Sequence, residues 1–415
     1  MLSIIISAYA CSPDMGSEPG MAWNWCINLA KYYHLHIITE GEDKDRIDAA
    51  LPTLPHGENM KFYYHPVSDR VRQMCSNQGD WRFYIHYKKW QKKTYQMALE
   101  ICKMNQIDII HQLNMIGFRE PGYLWKISNI PFVWGPIGGV NFYPEAYMDN
   151  LTLKEKLTVK IKNRINKFQI RYKLRVRKAI KRADCLISAI PEVKSAIEVI
   201  YNKESSLICE TGCYDVAKVV QNNTERFKDE NSFQILWVGR FYYIKQLSLA
   251  LHVIERIKSL HGLSFHIVGT GTENQRDYYR NLAKKLNIDH LCHWHGEIPN
   301  KDVHKIMLSS QLFLFTSVSE ATSTVVLEAL QNNLPVVCFD ACGFGAVIDD
   351  SVGCKVRLST PEQSVLDFSA TIEHLYHERD LLVEKSVNTL SKIKEYSWDE
   401  KIKKLISLYQ QIVTS

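Results

Sequence analysis

The sequence predicts an α/β protein with two domains, each built on a parallel β-sheet. Short apolar runs typical of buried strands alternate with amphipathic runs typical of helices. The first strand-like runs are residues 2–7 and 35–39, and the helix-like run between them is residues 23–33. This alternation is typical of parallel sheets whose strands are joined by crossover helices. A chain of 415 residues is also long for one hydrophobic core, because domains commonly hold roughly 100 to 200 residues.

The alternation stops once, in a polar segment at residues 218–232 that contains paired asparagines and clustered charges. We interpret this segment as a linker, and we predict an N-terminal domain at residues 1–215 and a C-terminal domain at residues 216–396. Residues 397–415 carry apolar side chains at helical spacing and predict a terminal helix.

The composition, with 46% hydrophobic and 23% charged residues, is that of an ordinary globular protein. Residues 1–8 are apolar and lack a basic leader, so we interpret them as a first strand rather than a signal peptide. No run approaches the ~18 apolar residues of a membrane-spanning helix. Eleven scattered cysteines without a Cys-x-x-Cys motif favour reduced thiols and a cytoplasmic location.

A polar loop between two apolar strand-like runs in the last third of the chain predicts an anion-binding site. The loop carries Glu320, and the helix that follows it carries Glu328. Hydroxyl groups lie between them at Thr322, Ser323 and Thr324. The unpaired N–H groups and the positive dipole end of a helix start favour a phosphate. Carboxylate acceptors beside such amides suit a phosphorylated sugar.

Two other predicted strands end in residues that suit a diphosphate. One ends in Gly239 and Arg240, and Lys245 lies five residues further on. The other ends in a Gly-x-Gly turn at residues 269–271, where glycine lets the backbone approach a ligand closely. Because ligands of open α/β sheets bind beyond the carboxyl ends of strands, we expect the two cations to lie beside the bound phosphates.

Together these motifs resemble those of family 4 glycosyltransferases, retaining enzymes of the GT-B fold. The C-terminal half matches in Val238-Gly239-Arg240 with Lys245, Val268-Gly269-Thr270-Gly271, His295-Gly296-Glu297 and the Glu320-to-Glu328 motif. The N-terminal half resembles a branch that acts in bacterial surface-polysaccharide assembly. Its matching segments are Ala8-Tyr9-Ala10-Cys11-Ser12-Pro13, Gly16-Ser17-Glu18-Pro19-Gly20, Trp23-Asn24-Trp25, Trp134-Gly135-Pro136-Ile137-Gly138-Gly139 and Glu210-Thr211-Gly212.

The resemblance implies two Rossmann-like domains with parallel sheets facing a central cleft, and a C-terminal helix that packs back onto the first domain. It implies the transfer of a sugar, with retention, from a nucleoside-diphosphate sugar to a lipid-linked glycan in capsule, exopolysaccharide or O-antigen synthesis. The donor is expected to be a UDP- or GDP-sugar, with no further cofactor and no metal ion.

The resemblance also assigns roles to individual residues. Arg240 and Lys245 neutralise the diphosphate and Glu320 contacts the donor sugar, so these three are predicted to be catalytic. Negative charge grows on the leaving phosphate as its bond breaks, so fixed cations there stabilise the transition state most. Glu328 accepts hydrogen bonds from the ribose. The other residues predicted to bind the donor are Gly16, Gly239, Gly269, Gly271, Glu297, Thr322, Ser323 and Thr324.

On the acceptor side, His111 ends a predicted strand and either contacts the acceptor or caps the strand. Gly138 and Gly139 belong to a turn where many relatives carry a histidine, and glycine there would let the backbone approach the donor sugar or the acceptor. Aromatic residues at positions 62–95 either line an acceptor groove or pack within a helical hairpin. They include Trp81, Tyr84, Tyr87 and Trp90.

Residues 151–182 hold thirteen Lys or Arg residues and a single acid, Glu155, whereas the whole chain carries a net charge of +6. Apolar residues recur there every three or four positions, at Leu153, Leu157, Ile161, Ile165, Phe168, Tyr172, Val176 and Ile180. A basic amphipathic helix, either continuous or broken once, predicts peripheral binding to the inner face of the cytoplasmic membrane. The predicted contacts are Lys162, Arg164, Lys167, Arg171, Lys173, Arg175 and Arg177. The alternative is a helix that packs its apolar stripe on the core. No RNA- or DNA-binding motif accompanies the charge.

Other patterns are weaker. Asp43-Lys44-Asp45 matches the metal motif of another glycosyltransferase fold, but it leads into a helical segment. Histidines and a cysteine at residues 290–295 alternate along a strand and so point to opposite faces, which disfavours a metal site. The glycines at residues 16–20 lack the spacing of a dinucleotide site, which disfavours a dehydrogenase. The remaining rival is a non-catalytic GT-B protein that binds nucleotide sugars or acts as a membrane scaffold.

Overall fold

The computed structural model describes residues 1–76, 80–140, 142–148, 151–214 and 224–414. The chain divides into two compact units. The N-terminal unit comprises Met1–Val140, Ile165–Glu210 and Trp398–Ser415, and the C-terminal unit comprises Asn141–Arg164 and Thr211–Ser397. The predicted boundary at residue 215 and the start of the predicted linker, residues 218–223, lie outside the described residues.

The N-terminal unit is built on a seven-stranded sheet in the order β3-β2-β1-β4-β5-β6-β7, with parallel pairing throughout the described strands. Its strands are β1 (Ser3–Ala8), β2 (His34–Thr39), β3 (Met60–Tyr64), β4 (Ile109–Asn114), β5 (Phe132–Ile137), β6 (Cys185–Ser188) and β7 (Ser206–Leu207). The helices up to the end of this sheet are α1 (Ser17–Leu29), α2 (Lys44–Ala50), α3 (Asp69–Ser76), α4 (Phe83–Met104), α5 (Leu153–Tyr172), α6 (Leu174–Arg182) and α7 (Pro191–Tyr201).

The C-terminal unit is built on a six-stranded parallel sheet in the order β10-β9-β8-β11-β12-β13. Its strands are β8 (Phe233–Val238), β9 (Leu263–Val268), β10 (Cys292–Gly296), β11 (Leu312–Phe315), β12 (Val336–Phe339) and β13 (Gly353–Val356). Its helices are α8 (Leu247–Arg256), α9 (Glu273–Lys285), α10 (Asn300–Ser309), α11 (Thr324–Gln331), α12 (Cys342–Val347), α13 (Pro361–His377) and α14 (Arg379–Lys394).

Both sheets have the strand order of a doubly wound Rossmann fold, in which the chain reverses direction beside the first strand. The central strands are apolar on both faces because helices cover both sides of the sheet. Ile4, Ile5 and Ile6 of β1 and Phe313 and Leu314 of β11 are fully buried. The reversal points lie between β1 and β4 and between β8 and β11, which is where open α/β sheets bind ligands.

The last helix, α15 (Trp398–Val413), belongs to the N-terminal unit and packs on α1. Trp398 meets Trp25 edge to face at 6.4 Å, and Tyr409 meets Tyr33 at 5.6 Å between ring centroids. Ile402 and Leu405 are buried beside them. The predicted C-terminal helix and its return to the first domain are therefore confirmed.

Candidate active site

The ends of β8 and β9 meet as the glycine pattern predicts. The N–H of Gly239 donates to the carbonyl of Val268 at 3.0 Å. Gly269 has a φ of +128°, and a Cβ atom at this position would lie 1.9 Å from the Gly239 carbonyl oxygen. Only glycine fits there, because any side chain would push the two strand ends apart. Arg240 follows directly and is exposed at the carboxyl edge of the sheet.

Two of the predicted catalytic residues contact each other. Lys245, after β8, forms an ion pair with Glu320, after β11, and their side chains are 18% and 13% exposed. The Lys245 ammonium also lies 5.2 Å from the centre of the Phe315 ring. The Ser317 hydroxyl donates to the same Glu320 carboxylate at 3.1 Å. The two strand ends thus hold a cation and a carboxylate together at the reversal point of the sheet.

Helix α11 begins beside this ion pair with an open N-terminus. Ser323 is the N-cap residue, and its side chain makes no capping hydrogen bond. Thr324, the first helical residue, lies with its hydroxyl oxygen 3.5 Å from that of Thr211. Thr322 is 5% exposed and packs on Gly343, where a Cβ atom would lie 2.2 Å from the Thr322 hydroxyl. The arrangement leaves the helix start suited to an anion.

Helix α9, which follows the Gly-x-Gly turn, is different because its own residues close its N-terminus. The Thr272 side chain accepts from the Gln275 N–H, and the Gln275 side chain accepts from the Thr272 N–H, forming a capping box. Gly271 is needed for this contact, since a Cβ atom there would lie 2.6 Å from Gln275 Oε1. Among the predicted donor-binding elements, α11 therefore offers the better anion site.

Glu328 lies on α11, about one helical turn after the start of the helix. Asn300 Nδ2 donates to its Oε1 at 3.4 Å. Burial raises the pKa of Glu328, and the nearby His304 and the Asn300 hydrogen bond partly offset this effect. Asn300 and His304 were not predicted as site residues. Their spacing of four on α10, which places them on one helical face, is the signal that would have indicated them. Glu297, after β10, is exposed.

In the N-terminal unit, Gly16 is the N-cap of α1, and Glu18 lies in the first turn of that helix. The Ile116 N–H donates to the Glu18 carboxylate at 3.2 Å. Burial raises the pKa of Glu18 to about 7, helped by the nearby Glu210. A carboxyl group that titrates near neutral pH suits proton transfer. Sequence reasoning quoted Glu18 within a motif but assigned it no role.

His111 is a packing residue, so the expectation of an acceptor contact needs correction. Its side chain is 0% exposed, and both ring nitrogens have partners within the fold. Nε2 donates to the Gly135 carbonyl at 2.6 Å, since a carbonyl can only accept. Nδ1 therefore accepts from the Tyr409 hydroxyl, also at 2.6 Å. Burial lowers the pKa of His111 to about 4.

The predicted acceptor turn pairs with the loop that follows β4. The Gly138 N–H donates to the Ile116 carbonyl at 2.7 Å, and the Phe118 N–H donates to the Gly138 carbonyl at 3.1 Å. Arg119 Nη2 lies 3.5 Å from the carbonyl of Gly139, whose φ of +80° favours glycine. The aromatic residues at positions 62–95 divide between packing and exposure. Tyr87 and Trp90 are buried, whereas Trp81 and Tyr84 are 69% and 42% exposed.

The basic segment forms two helices, α5 and α6, that break at Lys173. The apolar stripe of α5 faces outward, with Leu153, Leu157, Ile161, Ile165, Phe168 and Tyr172 between 47% and 86% exposed. The inward face is instead formed by Val159, Asn163, Asn166 and Ile170. The alternative of a stripe packed on the core is therefore wrong for α5, and it holds for Val176 and Ile180 of α6, which are buried.

Two of the predicted membrane-contacting cations are used inside the protein. Lys173 Nζ lies 2.8 Å from Glu120 Oε1, and Arg175 pairs with Glu120 Oε2. Because the Glu120 carboxylate pairs with both side chains, Lys173 and Arg175 are corrected to structural cations. Arg164, Arg171 and Arg177 are exposed, as are Lys162 and Lys167.

The sequence of the C-terminal unit is similar to a known protein family. Residues 221–396 match the family model described as Glycosyl transferases group 1. Over these residues the C-terminal unit is similar to group 1 glycosyl transferases. An uncharacterized glycosyltransferase of Methanocaldococcus jannaschii is 22% identical over 336 residues, which cover 78% of this chain and 81% of that protein.

Two solved structures share the fold over nearly the whole chain. The apo form of the lipopolysaccharide outer core galactosyltransferase WaaB superposes with a TM-score of 0.63 and 14% identity, covering 98% of this chain and 99% of that one. Anabaena HepE in complex with UDP superposes with a TM-score of 0.61 and 14% identity, covering 98% and 100%. The predicted GT-B fold, with two Rossmann-like units, is therefore confirmed. Among the helices of the described residues, none is both long and apolar enough to cross a bilayer.

Proposed function

We propose that the protein transfers a sugar, with retention, from a UDP- or GDP-sugar to a lipid-linked glycan during surface-polysaccharide synthesis. The observation that carries this proposal is the Lys245–Glu320 ion pair beside the uncapped start of α11. A diphosphate would bind the Lys245 ammonium and the amides of α11, and Glu320 would turn to hydroxyls of the donor sugar. The UDP bound to Anabaena HepE supports a nucleotide donor.

In this mechanism the protein stabilises the leaving group. As the bond between the sugar and the phosphate breaks, negative charge grows on the diphosphate, where Lys245, Arg240 and the α11 amides would stabilise it. The departing phosphate takes the proton of the attacking hydroxyl on the same face of the sugar, which retains the anomeric configuration. These fixed cations replace the metal ion that other transferases use.

Glu328→Ala tests the proposed donor contact. The alanine variant loses the acceptor for the ribose hydroxyls, and a hydrogen bond to a charged group is worth about 1.5–3 kcal/mol, so we expect the donor KM to rise by at least tenfold. The assay follows labelled sugar from UDP- and GDP-sugars into a lipid extract. Glu384→Ala, an exposed change on α14, is the matched control and should keep the KM of the wild type. An unchanged KM in Glu328→Ala would exclude the ribose contact.

We also propose that α5 holds the protein on an anionic membrane surface. Its exposed apolar stripe lies beside exposed cations, which is the pattern of helices that lie in the plane of the bilayer interface. Each cation near an anionic leaflet contributes about 1 kcal/mol.

Charge reversal on α5 tests the membrane proposal. We expect the double variant Arg164→Glu/Arg171→Glu to bind anionic vesicles at least tenfold more weakly, because two attractive contacts of about 1 kcal/mol each become repulsive. The measurement is co-sedimentation with vesicles that contain phosphatidylserine. The control is Lys284→Glu/Lys285→Glu, an equal charge change at the exposed end of α9. Equal loss in both variants, or no loss in either, would refute a specific role of α5.

A further inference from the structure

A cavity lies in the N-terminal unit, and none of the residues predicted to bind the donor lines it. Its volume is about 400 Å³, which is within the range of small-molecule sites. Its walls come from the start of α4, the loop after β4 and the end of α5. Because β4 flanks the reversal point of the sheet, this loop lies where open α/β sheets bind ligands.

The cavity carries a surplus of positive charge. Lys88, Arg119 and Lys173 line it together with one acid, Glu120. Both carboxylate oxygens of Glu120 are already engaged, one by Lys173 at 2.8 Å and the other by Arg175. Within the described ranges, no carboxylate pairs with Lys88 or Arg119. Among the described residues, Glu120 is therefore the one acid beside four cations, namely the three that line the cavity and Arg175.

Burial makes this surplus of positive charge unfavourable when no anion is bound. It lowers the pKa of Arg119 and of Lys173, and it lowers the pKa of Arg175 to about 10. The pKa of Lys88 is lowered by burial and by repulsion from Arg175 and Lys173. A bound anion would relieve both effects, since a neighbouring opposite charge favours the charged form of each side chain.

The mouth of the same cavity is apolar. Trp81 is 69% exposed and Ile85 48% exposed, and both line the cavity with Tyr84. Large exposed side chains grouped beside cations suit a ligand that has an anionic head and an apolar chain. Within the described part of the chain, the buried Gln169 Oε1 has no hydrogen-bond partner, so the cavity also offers an acceptor for a hydroxyl.

We propose that this cavity binds the phosphate of a phosphorylated lipid, with Lys88 and Arg119 at the phosphate and Trp81 and Tyr84 along the lipid chain. Arg119 also contacts the carbonyl of Gly139, in the turn predicted to lie on the acceptor side. The identity of the bound lipid as the glycan carrier rests on the proposed function. The phosphate site itself does not require a nucleotide.

The test is isothermal titration of the full chain, without nucleotide, with three probes: farnesyl diphosphate, inorganic diphosphate and farnesol. We expect farnesyl diphosphate to bind at least tenfold more tightly than inorganic diphosphate, and farnesol not to bind. Lys88→Gln and Arg119→Gln should each weaken binding of farnesyl diphosphate at least tenfold. Lys88 is exposed, so its replacement leaves the fold intact. Trp81→Ala should lower the affinity for farnesyl diphosphate to that for inorganic diphosphate.

The control is Lys284→Gln, which removes an exposed cation on α9 and should bind like the wild type. Equal affinity for the two diphosphates would overturn the lipid part of the proposal, and binding that survives Lys88→Gln and Arg119→Gln would overturn the site. Stabilisation by UDP or GDP is measured on the same preparations. If the nucleotide binds and farnesyl diphosphate does not, the cavity proposal fails while the transferase proposal stands. If farnesyl diphosphate binds and the nucleotide does not, the transferase proposal fails while the cavity proposal stands.

Discussion

Replacing Lys245 with methionine is expected to lower kcat by about 10²–10³-fold, the usual effect of removing one group that stabilises developing charge. Lys245 is held between the Glu320 carboxylate and the Phe315 ring, so its ammonium is fixed before the donor binds. Methionine keeps most of the length of the side chain and removes the charge together with the N–H donors. Steady-state kinetics should show a fall in kcat that exceeds any change in donor KM. A kcat within twofold of the wild type would exclude Lys245 from the reaction.

The ion pair complicates this experiment, because Lys245→Met also leaves Glu320 without its cation in a half-buried position. Breaking a pair in this way destabilises a protein by leaving an uncompensated charge. The double variant Lys245→Met/Glu320→Gln removes that charge, so its thermal stability should recover while its kcat stays low. If activity returned together with stability, the loss in the single variant would have been structural.

The unfolding free energy is expected to fall by about 3 kcal/mol between pH 7 and pH 4 through His111 alone, since a pKa unit is worth about 1.4 kcal/mol. The folded-state pKa of His111 is lowered to about 4, below the ordinary value of 6.5, because the ring is buried. Between these two values the unfolded chain binds more protons than the folded one. The stabilisation is therefore complete above pH 6.5 and is lost as the pH falls towards 4.

His111→Phe should abolish this contribution and flatten the difference in stability between pH 7 and pH 4. At pH 7 the substitution should also lower the free energy of unfolding by about 3 kcal/mol, because the Tyr409 hydroxyl and the Gly135 carbonyl both lose their buried partner. Tyr409→Phe is the matched variant, which removes one of the two hydrogen bonds and leaves the titrating ring. Denaturant unfolding at several pH values measures both effects. An unchanged pH dependence in His111→Phe would mean that the buried imidazole does not titrate in this range.

The sequence predicted the local geometry of the C-terminal unit well, because that geometry follows strand ends and a helix start. Residue 269 had to be glycine for two strand ends to meet, and the carboxyl edge of a parallel sheet brought Lys245 and Glu320 together. Each of these features depends on local backbone geometry and on the alternation of strands and helices. Local patterns of this kind are visible in one sequence.

The predictions that failed depended on partners far along the chain. His111 is 298 residues from Tyr409, and Lys173 is 53 residues from Glu120. Nothing in the sequence near these residues indicates such partners. The α5 stripe shows the same limit, since periodicity identifies an amphipathic helix but not which side of it the rest of the protein covers. Here the inward face carries Asn163 and Asn166, which bond to the backbone of Tyr143 and to Arg119 respectively.

The most direct test of the central claim is a thermal-shift measurement on the purified chain with UDP, GDP and NAD, each with and without EDTA. A ligand at a hundredfold excess over its Kd raises the free energy of unfolding by about 2.7 kcal/mol. We predict that UDP or GDP raises the Tm, that EDTA does not change the shift, and that Glu328→Ala loses it. Stabilisation by NAD alone, or by none of the three ligands, would contradict the assignment of the C-terminal unit as the site of a nucleotide-sugar transferase.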